Sequence, residues 1–247
     1  MSLGLPDGIK ACLFDLDGVL TQTAKVHAVA WKEMFDEFLK QRAECEGQEF
    51  VAFDGRGDYD QYVDGKPRAD GVRSFLESRN IHLDEGSPDG PPDAETIAGL
   101  GSRKNVLVLK LIDEQGVEPY AGSVRYVEAA AQAGLRRAVV SSSTNCRAVL
   151  KAAGIEDMFE QVIDGTVAEK QGLAGKPAPD TYLAGAKAVG VAPGEAAVYE
   201  DALAGVEAGR AGDFGCVIGL DRVGQAEALA THGADMVVAD LDELLDT

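Results

Sequence analysis

Apolar residues follow two rhythms along this chain. From Ile9 to Phe14 they run almost unbroken into Asp15-Leu16-Asp17-Gly18. A strand buried on both faces of a parallel sheet reads this way, because it has no solvent face to make polar. From about Gly122 short runs of this kind alternate with helical periodicity: helix 124–133, Gly134, strand 138–141, helix 145–153, Gly154, strand 161–163. After Pro179 the alternation resumes with helix 180–189, strand 196–199, helix 203–211, strand 216–220, helix 225–231 and strand 236–238. Strands separated by single helices predict an α/β chain, a doubly wound Rossmann-like parallel sheet whose ligands sit at the carboxyl ends of the strands.

Between residues 24 and 117 the alternation stops. A helix there carries Trp31, Met34, Phe35, Phe38 and Leu39 on one face, followed by the Gly/Asp-rich stretch FDGRGDYD and further helical pieces to Leu111. The pattern predicts an inserted helical domain, 24–117, interrupting a catalytic core made of 1–23 and 118–247. Within the insert, Asp84–Asp93 holds three prolines and four acids and reads as a solvated connection.

Composition narrows the function. The 247 residues carry 42 acidic and 23 basic side chains, a formal charge of −19, so the field of the whole chain repels polyanions and no nucleic-acid partner is expected. No apolar run approaches the roughly 20 residues of a membrane span, and no membrane partner is expected. Cys12, Cys45, Cys146 and Cys216 lie far apart without a C-x-x-C pair, behind a start lacking an export signal, which predicts a reduced, cytoplasmic chain. Met1-Ser2-Leu3 is set aside from the fold reasoning. A monomer is expected, with an apolar face of the insert as the candidate patch for a dimer.

The candidate chemistry lies at strand ends. Asp15 and Asp17 follow one buried strand and Glu200-Asp201 another. A D-x-D pair alone is more often an acidic turn; two such strand ends can converge on one cavity, where several carboxylates repel unless a cation sits among them. All-oxygen ligands point to Mg²⁺. Ser141-Ser142-Ser143-Thr144-Asn145 leads from a strand into a helix and offers hydroxyls and backbone N–H groups to an oxyanion, although plain helix capping explains the run equally well. Lys176 is held in Gly175-Lys176-Pro177-Ala178-Pro179; among acids, one fixed ammonium stabilises both a carboxylate and a phosphoryl group, whereas alone it reads as a solvated loop lysine.

The order and spacing of FDLDGVLT, the SSSTN strand end, KPAPD and YEDALAG resemble the haloacid dehalogenase superfamily of aspartate-nucleophile phosphotransferases. Thr21, Thr23, His27 and Trp31 in TQTAKVHAVAWK, Gly65-Lys66-Pro67-Arg68 and Arg103-Lys104-Asn105 are similar to its β-phosphoglucomutase-like subfamily. The resemblance implies a cap-and-core architecture, Asp15 as nucleophile and Asp17 as general acid and base. It also implies Mg²⁺ held by Asp15, the Asp17 carbonyl, Glu200 and Asp201, and a phosphoryl group held by Ser141 and Lys176, with Ser143 and Asn145 beside them. In the insert it implies sugar-phosphate contacts from Thr23, His27, Trp31, Arg68 and Lys104. For Trp31 the residues alone favour plain helix packing, for His27 a surface or packed histidine, and for Arg68 a solvated cation. Gln22, Thr144 and Ala202 depart from the pattern, replacing a common acid, a common base and a common serine.

The activity implied is a mutase interconverting β-glucose 1-phosphate and glucose 6-phosphate through bound glucose 1,6-bisphosphate. A sugar-phosphate phosphatase of the same superfamily is the alternative enzyme, and Thr144 weighs towards it because a cation is missing there. A phospho-accepting signalling module would share the strand-end Asp, Mg²⁺, Ser/Thr and Lys, but it needs neither an inserted domain nor an acid beside its nucleophile.

Overall fold

The computed structural model describes residues 3–88 and 90–245. Met1, Ser2 and Asp89, the last within the predicted 84–93 connection, lie outside the described residues. The chain divides into two compact units, one formed by Met1–Gln22, Gly65–Pro67 and Val117–Thr247, the other by Thr23–Asp64 and Arg68–Gly116. The joins fall one residue before the expected 23/24 and 117/118 boundaries. Gly65–Pro67 belongs with the first unit, a return that an uninterrupted 24–117 insert does not contain.

In the first unit six strands, β1 (Ala11–Phe14), β2 (Arg136–Val140), β3 (Gln161–Ile163), β4 (Ala196–Glu200), β5 (Cys216–Leu220) and β6 (Met236–Val238), form one sheet in the order β3-β2-β1-β4-β5-β6. Every pairing is parallel. The chain winds outwards from β1 to β3 and returns to β4 on the other side of β1. The order therefore reverses between β1 and β4, and the crevice that such a reversal opens at the carboxyl edge is the usual ligand position in this architecture.

β1, β4 and β5 are buried at every residue, as their unbroken apolar runs require. Leu13, Ala138, Val140, Val198, Val206, Val217, Tyr182 and Leu229 belong to one core cluster formed with the flanking helices. At typical burial energies of about 25 cal/mol per Å² of apolar surface, this cluster is the main source of the unit's stability. Helices α4 (Ala121–Gln132), α5 (Cys146–Ala152), α7 (Asp180–Val189), α8 (Leu203–Ala211) and α9 (Ala226–His232) lie within two or three residues of the predicted spans, and α6 (Gly165–Gln171) is additional. α6 has no buried residue, so no apolar stripe announces it. Its signal is in its ends: the Asp164 carboxylate accepts from Val167 N at 2.8 Å, and Gly172 takes the left-handed conformation that closes a helix.

The second unit consists of α1 (Ala24–Glu46), α2 (Arg68–Ser78) and α3 (Ile97–Gln115) with a wide turn at Tyr59–Val63. The predicted apolar face of α1 is buried throughout and packs with Phe53, Val72, Phe75 and Leu100. Aromatic rings do much of the filling, with Phe35 and Phe75 centroids 4.2 Å apart and Trp31 stacked on Phe35. The acidic connection is tied down along its length, since Glu85 receives both Nε and Nη2 of Arg73, the Asp84 and Glu85 carbonyls accept from Ile97 N and Ala98 N, and the Pro92 carbonyl accepts from Arg103 Nε at 2.8 Å. Among the described residues no helix is long and apolar enough to cross a membrane.

Candidate active site

The sheet brings its reactive groups to one edge. Phe14 is registered with Tyr199 of β4 and Val139 of β2, so Asp15, Glu200 and the last residue of β2 emerge at nearly one level. Asp15 N donates to Tyr199 O at 3.0 Å, which extends the pairing by one residue and fixes the Asp15 backbone. Asp15, Glu200 and Asp201 are all buried, and one oxygen from each lies within 4.8 Å of the others. Lys176, from the loop between α6 and α7, reaches into this group. Its Nζ lies 2.5 Å from Asp15 Oδ1, 2.5 Å from Glu200 Oε1 and 3.3 Å from Val140 O. An ammonium has three N–H donors, so all of them are engaged.

The turn after Asp15 is wound tightly. Leu16 O accepts from the backbone of Leu20 and Thr21 and from Thr21 Oγ1, and Gly18 N donates to Thr21 O. Gly18 has φ +81°, and a Cβ there would stand 1.7 Å from Asp201 Oδ2. Only glycine meets both conditions. The turn then pairs with the chain returning from the second unit: Gln22 N donates to Glu118 O and Tyr120 N to Leu20 O.

Burial and neighbouring charge set the protonation. Burial pushes the Asp15 carboxyl well above the usual range, the Glu200 and Asp17 charges push the same way, and Lys176 opposes them. Burial alone would lower Lys176, but Asp15 and Glu200 outweigh it and hold the ammonium charged. Three buried carboxylates thus face one buried cation. The set fits a further hard cation, since its donors are all oxygens and the excess negative charge is held away from water.

Of the other expected residues, Asp17 is half-buried with its charge felt at Asp15. Ser141 is buried just beyond β2. The serine run organises its own turn: Ser141 Oγ accepts from Ser143 N and Ser143 Oγ from Asn145 N, each at 3.1 Å. Two of the backbone donors expected to face an oxyanion are thus already engaged. Asn145 is the residue preceding α5, and its side chain makes no capping bond there.

Thr23, His27, Trp31, Arg68 and Lys104 belong to the second unit, and three of them form one cluster. Lys104 is buried, with Nζ 2.8 Å from His27 Nδ1 and 4.9 Å above the Trp31 ring. His27 Nδ1 can accept from the ammonium only if the ring proton is on Nε2. Arg68, half-buried, is the first residue of α2.

Sequence reasoning missed three residues at the site. Tyr182 donates its hydroxyl to Glu200 Oε1 at 2.8 Å; in the sequence it reads as a core aromatic of α7. Arg222 follows β5, donates Nε to Gly18 O at 2.8 Å and Nη1 to Ala239 O at 2.7 Å, and covers the Tyr120 ring at 3.7 Å. Gln225 donates Nε2 to Asp201 O at 2.9 Å. Position just beyond a strand was a clue available for Arg222 alone.

A buried strand-end carboxylate clamped by a lysine, beside two more acids from the adjacent strand, is a phosphoryl-transfer constellation. Residues 9–213 match the family profile of the haloacid dehalogenase-like hydrolases. The chain belongs to this family. Among its relatives, proteins named β-phosphoglucomutase from Mycobacterium bovis and Mycobacterium tuberculosis are each 55% identical over 246 residues, covering 98% of this chain and 94% of theirs. A solved β-phosphoglucomutase from Clostridium difficile superimposes with a TM-score of 0.74 at 26% identity, covering 96% of this chain and 93% of that one. This haloacid dehalogenase-like chain is therefore an enzyme of the phosphomutase or phosphatase type and not a signalling module. Its departure at Ala202 leaves one site contact intact, because the main-chain Ala202 N, not a side chain, donates to Glu200 Oε2 at 3.2 Å.

Proposed function

We propose that the chain is a Mg²⁺-dependent phosphomutase that converts β-glucose 1-phosphate to glucose 6-phosphate through glucose 1,6-bisphosphate, with Asp15 as the group phosphorylated in the cycle. The observation that carries the reading is the buried Asp15–Lys176 pair at the β1–β4 reversal, in a chain 55% identical to proteins named for that activity. In the transfer, a carboxylate oxygen of Asp15 attacks phosphorus and the bond from phosphorus to the departing oxygen breaks. Asp17 gives that oxygen its proton and later takes one from the attacking sugar hydroxyl. Lys176 has no unused donor, so a phosphoryl oxygen reaching it displaces the longest contact, that to Val140 O. Ser141, Ser143 and Asn145 line the same strand end.

Asp15, Glu200, Asp201 and the Asp17 carbonyl are the groups that would hold Mg²⁺. When bound, Mg²⁺ offsets the negative charge that would otherwise keep a carboxylate and a phosphate apart. Arg68 and Lys104 are read as the grip on the second phosphoryl group of the bisphosphate, and Thr23, His27 and Trp31 as further substrate contacts. The reading makes the enzyme cytoplasmic and monomeric, and four free cysteines are in keeping with a reducing compartment.

A phosphatase is the second reading, favoured by the uncharged Thr144 in the serine turn. Product analysis separates the two. With β-glucose 1-phosphate and a trace of glucose 1,6-bisphosphate, phosphorus NMR should show glucose 6-phosphate as the main product. Free phosphate at the rate of substrate loss would overturn the mutase reading.

A further inference from the structure

Both carboxylate oxygens of Glu200 are held by donors. Its Oε1 receives two donors, Lys176 Nζ at 2.5 Å and Tyr182 OH at 2.8 Å, and its Oε2 receives Ala202 N at 3.2 Å. Behind it, Gly205 of α8 leaves no room: a Cβ there would stand 1.8 Å from Oε1. Tyr182 itself is completely buried on α7, with its ring 5.0 Å from Lys176 Nζ. Burial and the Glu200 charge push the Tyr182 phenol well above its usual range, so it remains a neutral donor.

The two donors on Oε1 differ in what else they must do. Lys176 is shared among Asp15, Glu200 and Val140 O, and in the proposed reaction it takes on a phosphoryl oxygen as well. Tyr182 donates its hydroxyl to Glu200 and stands on a packed helix. We propose that Tyr182 is a positioning residue that fixes the Glu200 carboxylate for cation binding, as a donor that serves Glu200 while Lys176 is divided among several acceptors. The proposal rests on the reading of Asp15, Glu200 and Asp201 as a Mg²⁺ site. Groups that orient metal-bound carboxylates through a hydrogen bond typically account for about 10- to 100-fold in affinity or activity.

The experiment is a Mg²⁺ titration by calorimetry on the full-length wild type, Tyr182→Phe, Glu200→Ala and the double variant. Tyr182→Phe keeps the ring under Lys176 and removes only the hydroxyl. Its dissociation constant for Mg²⁺ should rise about tenfold, and the Mg²⁺ concentration that gives half-maximal turnover should rise in step. In the Glu200→Ala background, where no acceptor remains for the hydroxyl, the same change should have no further effect, which a loss of general stability would not reproduce. Tyr126→Phe removes another buried hydroxyl, one that meets Tyr199 OH at 2.9 Å, and should leave Mg²⁺ binding unchanged. An unchanged dissociation constant in Tyr182→Phe, with normal binding to the wild type, overturns the positioning role and leaves the metal site standing. Equal losses with and without Glu200 overturn it as well. A wild type that binds no Mg²⁺ overturns both.

Discussion

Asp15 and Asp17 stand two residues apart, and the proposed reaction gives them different bonds to serve, so their amide variants should fail differently. Asp15→Asn removes the attacking oxygen and should lower turnover by at least about a thousandfold for every substrate. Asp17→Asn leaves the attacking oxygen in place and should cost roughly 10²–10⁴, in the range of general acid–base catalysis. A good leaving group needs little protonation, so the Asp17→Asn deficit should shrink with p-nitrophenyl phosphate; equal deficits on both substrates would contradict the acid role. The cysteines give an independent check at the same scale. Cys12, Cys146 and Cys216 are buried and Cys45 is exposed; burial pushes the Cys12 thiol up to about 12 and, with the Asp235 charge, the Cys216 thiol to about 11. A thiol reagent at pH 8 should therefore titrate one cysteine quickly in the native protein and the rest only after unfolding.

Secondary elements decide which of these residues could be foreseen. The strands carrying Asp15 and Glu200 were legible because a strand covered on both faces must be apolar throughout, and a polar pair directly after one stands out. α6 was not legible, since an exposed two-turn helix has caps but no apolar stripe. Tyr182 was hidden for the opposite reason: on a buried helix face a tyrosine looks like packing, and only the fold sets its hydroxyl against Glu200. The return of Gly65–Pro67 to the first unit is likewise a tertiary fact with no local pattern. The turn after β1 carries its own test. Gly18→Ala would strain a φ of +81° and drive a methyl group into Asp201, so it should destabilise the protein by more than about 1 kcal/mol and weaken the stabilisation given by Mg²⁺. Denaturant titration with and without Mg²⁺ measures both effects, and a wild-type response would mean that the turn does not position Asp201.

For the whole molecule, the excess of acidic residues explains why cations must be placed deliberately: Lys176 in the first unit and Lys104 in the second are both buried, where solvent cannot screen them. Stability should depend on pH through the buried thiols. Their folded pKa values are raised, so the native state keeps protons that the unfolded chain releases from about pH 8.5. The contribution is complete below that pH and is lost as pH rises towards 11 to 12; urea midpoints should be level from pH 7 to 8 and fall by pH 10. The central claim, that Asp15 carries the phosphoryl group between sugars, is tested most directly by trapping it. Enzyme mixed with glucose 1,6-bisphosphate and Mg²⁺, acid-quenched within milliseconds and digested, should yield the peptide containing Asp15 heavier by one phosphoryl group. The adduct should be absent in Asp15→Asn and should disappear when β-glucose 1-phosphate is added before the quench. A phosphoryl group found on another residue, or turnover at the wild-type rate with Asp15 never modified, would contradict the account.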